Sequence, residues 1–285
     1  MRQIAQPGTG PRERIQWVEA RGEVFAFDLT PGVSLLEAVR RGFAARGYDS
    51  GVLTMTAGRL GPFAYVMPAL SATPDHAAFY SQTYRPSGET RLSAGALTFG
   101  IRDDQPFFHC HALWTEADGR RGGGHILPDE TIVAEPFRVE ALGLSGAAFI
   151  AGHDPETNFK LFGPVARPAI GTQADRRVFA MRLRPNSDIA HLLENFCAAQ
   201  GVTHARIHGG VGSTIGAHFD DGRTVTPFAT EVLVRAGQIA PTDDGASRVD
   251  LDVALVDYTG GLAEGRLERG DNPVLMTMEL VLEAL

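Results

Sequence analysis

"EVFAFDLTPGVSLLEAVRRGFAARGYDSGVLTMTAG" (residues 23–58) lies without a gap on "RVFAMRLRPNSDIAHLLENFCAAQGVTHARIHGGVG" (residues 177–212). Both stretches open with VFA, keep a leucine and then a proline, and share AA-x-G at a helix end. Self-similarity on this scale marks a repeated structural unit. In the first copy Val24, Ala26 and Asp28 alternate with Phe25, Phe27 and Leu29, the period of a strand. Leu35, Leu36, Val39 and Phe43 then follow the spacing of an amphipathic helix, as do Ile189, Leu192, Leu193 and Phe196 in the second. Gly47 and Gly201 stand where a left-handed C-terminal cap is expected. Asn186 or Ser187 is the natural N-cap of the second helix.

Downstream of each helix the chain reads as strands and turns. The first copy has "TRLSAGALTFG", "FFHCHALW", "GGGHIL" and "TIVAEPFRVEAL"; the second has "TEVLVRAGQIA", "RVDLDVALVD" and "PVLMTMELVLEAL". The expected fold is α+β: two tandem copies of an antiparallel sheet packed on a helix. The expected boundaries are a loose arm over 1–20, a first domain over 21–150, a Gly- and Pro-rich linker over 151–174 and a second domain over 175–285.

Composition narrows the function classes. The 285 residues are 44% apolar and 21% charged, enough for real cores. No apolar run approaches the roughly 18 residues of a membrane span, and the polar start lacks a signal-peptide core, so the expected compartment is the cytoplasm. Cys110 and Cys197 form no disulfide framework. The formal net charge of −8 argues against a mainly electrostatic grip on nucleic acid. Lys160 is the single lysine, a bias expected of a GC-rich genome.

"FFHCHALWTEADGRRGGGHIL" (107–127) carries the chemistry. On a strand, His109 and His111 share one face and Cys110 takes the other. A two-residue turn at Asp118–Gly119 would pair His111 with Ile126 and turn His125 away. A five-residue loop over Glu116–Arg120, or a bulge at Gly122–Gly124, would pair His111 with His125 and bring all three imidazoles together. Three neutral imidazoles with an open fourth position suit zinc, and imidazole also suits other divalent transition metals. In the second copy Asp250 and Asp252 fall where His109 and His111 stand, and Arg266 falls where His125 stands. Two carboxylates and a guanidinium can pair without a metal.

The "VFAFDLTPGVSLLEAV" opening together with "HCHALWTEADGRRGGGHIL" resembles the PPC (plants and prokaryotes conserved) domain, in which a leucine-proline-glycine step leads to a helix, an H-x-H strand, a D-G turn and a G-G-H return. The resemblance runs through about residue 145 in the first copy and covers the first half of the second, which lacks the histidines. It implies an α+β domain that assembles as a trimer and a metal on His109, His111 and His125. Plant members add DNA-binding AT-hooks; this sequence has no R-G-R-P hook. The metal motif is also similar to that of acetolactate decarboxylase, which suggests a metal that polarises a carbonyl or carboxylate oxygen.

Around the histidines, Glu135 is a candidate base or ligand-orienting partner, and Arg91 and Arg121 are candidates for binding a substrate carboxylate. Glu116 reads as a solvated turn residue. The insertion "TPDHAAFYSQTYRP" (73–86), with His76, Tyr80, Tyr84 and Arg85, can line a site. His204, His208 and His218 have no partners at ligand spacing, and "GGVGSTIG" lacks the lysine of a phosphate loop. The first functional reading is a zinc-dependent lyase or hydrolase acting on a small carboxylate-bearing metabolite. The alternatives are a metal-stabilised binding or assembly module without chemistry, and, last, a DNA-binding protein.

Overall fold

The structure is a computed structural model that describes residues 1–170, 173–243 and 245–285. In the first half, β1 (Ile15–Leu29) leads to α1 (Leu35–Ala44), β2 (Gly51–Met55) and β3 (Gly58–Leu60). Three short strands follow, β4 (Tyr65–Val66), β5 (Pro68–Ala69) and β6 (Phe79–Tyr80). The long strands β7 (Thr90–Arg102), β8 (Gln105–Thr115), β9 (Arg121–Ile126) and β10 (Phe137–Ser145) come next. A hairpin of β11 (Ala147–His153) and β12 (Lys160–Ala166) precedes the second half. That half contains β13 (Arg176–Leu183), α2 (Ile189–Gln200), β14 (Ala205–His218) and β15 (Thr224–Pro241). It ends with β16 (Ser247–Asp257), β17 (Leu262–Arg266) and β18 (Val274–Ala284).

One large sheet joins the halves. Its seam is the antiparallel β1–β13 pair, in which Trp17 faces Met181 and Arg21 faces Arg177. Outward from the seam the strands run β1-β10-β2-β7-β8-β9 on one side and β13-β18-β14-β15-β16-β17 on the other. Strand for strand, the two series follow the same connections. Pairing along both is antiparallel.

The expected alternation sets the cores. Phe25 and Leu29 are buried and Val24 is exposed. Phe43 on α1 meets Phe25 and Phe99 with ring centroids 5.5 and 4.9 Å away. Full burial of such a ring stabilises by about 1.5–3 kcal/mol. On α2, Ile189, Leu193, Phe196 and Cys197 face a core of their own. Two further clusters mix the halves: Val52, Leu142 and Phe149 with Val178 and Val281, and Ala96 and Leu113 with Val211, Leu233 and Ala254. The halves are packed into one another, not strung apart.

Four expectations need correction. The arm is tied down: Asn186 exchanges two hydrogen bonds of 2.9 Å with Ile4, and Gln6 donates to the Leu275 carbonyl at 2.7 Å. The first strand also starts at Ile15, inside the expected arm. Much of the expected linker is the β11–β12 hairpin, held by the buried Phe149 and Phe162; its Gly and Pro content belongs to turns and close packing, and residues 171 and 172 of that stretch lie outside the described residues. The N-cap of α2 is Asp188, whose carboxylate accepts from the His191 N–H at 2.9 Å. Asn186 instead takes a left-handed φ of 58°. Gly201 caps α2 at φ 65° as expected, whereas α1 ends at Ala45 and Gly47 follows with φ 81°. Among the described residues no helix is long and apolar enough to cross a membrane.

Candidate metal centre

Two hairpins aim the histidines. β7 and β8 are joined by Asp103 and Asp104, both left-handed at φ 52° and 59°. That is the pattern of a two-residue type I′ turn, whose twist matches the strands it joins. It sets Thr98 opposite His109 and Ala96 opposite His111. β8 returns as β9 through Glu116–Arg120, where the Glu116 N–H donates to the Arg120 carbonyl at 2.9 Å. The five-residue loop is the alternative that occurs: His111 faces His125, and pairing runs unshifted to Thr115 opposite Arg121. The glycines serve close approach here. A Cβ on Gly124, at φ 153°, would stand 2.5 Å from the Val66 carbonyl oxygen, and one on Gly122 would stand 2.6 Å from Trp114 Nε1.

The second half supplies what orients the rings. His109 Nδ1 lies 2.9 Å from Glu279 Oε2, and His111 Nδ1 lies 3.0 Å from the Val232 carbonyl oxygen. Both oxygens only accept, so each Nδ1 carries the proton and each Nε2 presents a lone pair. The two Nε2 atoms face each other at 3.0 Å. Two lone pairs at that separation repel unless a cation or proton lies between them. For comparison, zinc–nitrogen bonds of about 2.05 Å in a tetrahedron place the nitrogens about 3.3 Å apart. His125 adds a buried Nδ1 with no hydrogen-bond partner among the described residues. Ligand atoms of all three rings lie within 4.8 Å of one another. Burial, then the neighbouring histidines, holds His111 well below its ordinary value against the opposing pull of its backbone acceptors; burial, then His109 and Arg102, does the same to His125. Neutral imidazoles with outward-tethered N–H groups are what a metal ligand set requires. The three histidines could hold a metal ion.

Glu231 on β15 is the other carboxylate at the cluster. It is buried, one oxygen lies 3.9 Å from His111 Nε2, and Oε2 has no hydrogen-bond partner among the described residues. Burial pushes its carboxyl well above the ordinary range, opposed by the backbone N–H of His125. Neither Glu231 nor Glu279 was singled out in the sequence. The available signal was a lone glutamate inside each apolar run, "TEVLV" and "MTMELVL".

Two openings reach the cluster. A cavity of about 370 Å³ exposes His109, His125 and Glu279 and is walled by Tyr80, Arg102 and Phe107. A smaller recess of about 60 Å³ meets His109, His111 and Glu231 from the side of Phe79, Phe159 and Leu275. Tyr80, from the 73–86 insertion, borders both and packs edge-on to His125 at 5.5 Å. The other insertion residues serve packing: His76 meets Phe159, Tyr84 stacks on Tyr65 and Arg85 pairs with Glu130.

The other residues singled out in the sequence stand elsewhere. Glu135 pairs with Arg59 at 2.9 Å and Arg121 with Glu264 at 2.8 Å. Arg91 is exposed opposite Thr115, and none of these three lines either opening. Glu116 is buried, not solvated, and accepts from Arg120 Nη2 at 2.7 Å and the Tyr65 hydroxyl at 3.1 Å. In the second half Asp252 faces Arg266 in the same relation as His111 to His125. Arg266 lies 3.3 Å from Asp250, and Arg235 lies 2.6 Å from Asp252.

The molecule is thus a predominantly antiparallel β protein in which one half presents three histidines and the other presents ion-paired side chains at the matching positions. Residues 171–285 match the profile of the Plants and Prokaryotes Conserved (PCC) domain, the family written PPC above. The match falls on the half without the histidines. A search of curated proteins finds no match. Among solved structures, a metal-containing protein from Archaeoglobus fulgidus aligns at 20% identity and a TM-score of 0.41, covering 51% of this chain and 96% of its own. A PPC protein from Pyrococcus horikoshii aligns at 15% and 0.41, covering 53% and 97%. A Bacteroides thetaiotaomicron protein described provisionally as DNA-binding aligns at 13% and 0.37, also covering 53% and 97%.

Proposed function

We propose that the protein is a metal-dependent enzyme, a lyase or hydrolase acting on a small carboxylate-bearing metabolite, with zinc or another divalent transition metal on His109, His111 and His125. The observation that carries this reading is the 370 Å³ cavity opening onto His109 and His125. A purely structural metal would be closed off by protein, and this cavity is within the size range of small-molecule sites. A bound metal supplies Lewis acidity toward a carbonyl, a carboxylate or water. The chain supplies the rest. Glu279 and the Val232 carbonyl fix two imidazoles, Glu231 can hold or release a proton at its unpartnered oxygen, and Tyr80 covers the site beside His125.

The matching strand series supports descent from a duplicated domain, of which the N-terminal copy keeps the metal site and the C-terminal copy has replaced it with Asp250, Asp252 and Arg266. Assembly into trimers belongs to the same reading. Elemental analysis of the purified protein tests the metal: about one ion per chain is expected, lost in both His109→Ala and His125→Ala. A metal-free protein after reconstitution would refute it. In that case the histidines form only a polar hairpin, and the binding-module reading takes its place.

A further inference from the structure

Beside the histidines, the larger cavity has a wall of distinct chemistry. Cross-strand partners share a sheet face. Arg102 is paired with Gln105, Gly100 with Phe107, Thr98 with His109 and Ala96 with His111, so Arg102, Phe107, His109 and His111 stand in one row on one face. The Arg102 guanidinium lies over the Phe107 ring, 4.8 Å from its centroid. Phe107 and His109 are one two-residue step apart, about 6.8 Å along the strand. A small organic acid can bridge a step of that length.

The charge on Arg102 is only loosely met by the protein. It pairs with Asp103 at 3.9 Å, beyond a hydrogen bond, while Lys160 bonds that carboxylate directly. Of the other carboxylates on the cavity, Glu130 is taken by Arg85 and Glu279 by His109; Asp129 stands at the rim. The remaining walls are apolar, from Val66, Leu127, Leu161 and Phe162.

We infer that Arg102 is the anchor for the acid group of the ligand, a small organic acid whose apolar body lies on Phe107 and whose far end reaches His109 and His125. The inference rests on the metal-site reading above and narrows it: the selective cation is Arg102, and Arg91 and Arg121 take no part. A planar two-oxygen acid group suits the guanidinium fork, which Lys160 cannot reproduce.

The test uses the whole chain loaded with Co²⁺, whose visible spectrum reports on the histidine site, titrated with benzoate and separately with inorganic phosphate. Benzoate is expected to shift the spectrum at saturation. Arg102→Gln should raise its dissociation constant about 10- to 100-fold, the loss of a charge-assisted fork, with cobalt content and melting temperature unchanged. Arg102→Lys should recover only part, and Arg121→Gln should match the parent. Equal benzoate affinity in Arg102→Gln and the parent overturns the inference, as does tighter binding of phosphate than of benzoate. If no cobalt is taken up, the metal reading fails by itself. Benzoate calorimetry on the metal-free protein then decides the anchor: Arg102-dependent binding upholds it, and absence of binding overturns it.

Discussion

Glu279 lies 170 residues from His109 in sequence, yet its fully buried carboxylate accepts the His109 Nδ1–H at 2.9 Å. A hydrogen bond to a buried charged acceptor contributes about 1.5–3 kcal/mol. His111 has a comparable tether, but it is the Val232 backbone carbonyl, which no side-chain substitution removes. Glu279 is therefore the tether that mutation can isolate. Glu279→Gln keeps the shape and an acceptor oxygen while deleting the charge, so about half of the bond energy, near 1.4 kcal/mol, should be lost. That corresponds to about tenfold weaker metal binding. Glu279→Ala deletes the acceptor and frees the ring, and about 100-fold weaker binding is expected, the upper range for partners behind a ligand. Competition with a chromophoric chelator measures both. If Glu279→Ala binds metal as tightly as the parent while His109→Ala binds none, the second half does not orient the site.

Three shorter predictions follow from other parts of the molecule. Because His111 and His125 are held below the ordinary histidine value of 6.5, protons compete with the metal only when pH falls well below it; a titration in which half the metal is lost at pH 6.5 or higher would contradict this. Asp154 pairs with Arg182 at 2.7 Å and Arg184 at 3.0 Å, and Arg182 and Asp154 are buried. Asp154→Ala leaves two facing guanidinium groups and should destabilise by about 3–5 kcal/mol in urea unfolding; a loss below 1 kcal/mol would show that solvent reaches the pair. Glu37 on α1 is pulled down to about 2 by hydrogen bonds from Arg40 and Arg41. A lowered carboxyl contributes stability that is present above its unfolded value of about 4.5 and lost as pH falls through about 2. Glu37→Gln should flatten that acid limb in thermal melts, and an unchanged limb argues that the pairs contribute nothing in solution.

What the sequence disclosed was local. The β1 alternation, the α1 and α2 stripes and the one-face placement of His109 and His111 depend on spacings of a few residues, and each was legible before the structure. The choice between a two- and a five-residue loop was open because "EADGRR" satisfies both; the side-chain pairing of Glu116 with Arg120 and Tyr65 accompanies the longer one. Glu231 and Glu279 were hidden because their meaning arises only where strands of the second half pack on the first. Arg102 escaped for a different reason. Its hairpin turns on Asp103-Asp104, which has no glycine to announce a left-handed turn, so β7 and β8 did not read as neighbours. The β11–β12 hairpin was mistaken for a linker because turn residues look alike whether they join two domains or two strands.

The candidate metal site lies where the two halves pack face to face, away from their β1–β13 seam, and this limits what can become of the gene. A chain cut before residue 231 would keep all three imidazoles and lose Glu231, Glu279 and the Val232 carbonyl together. The half without histidines is therefore not a spare: it holds the acceptors on which the other half relies. Recombination that separated the two would inherit every ligand and none of their orientation, and selection for the site acts on both halves as one unit.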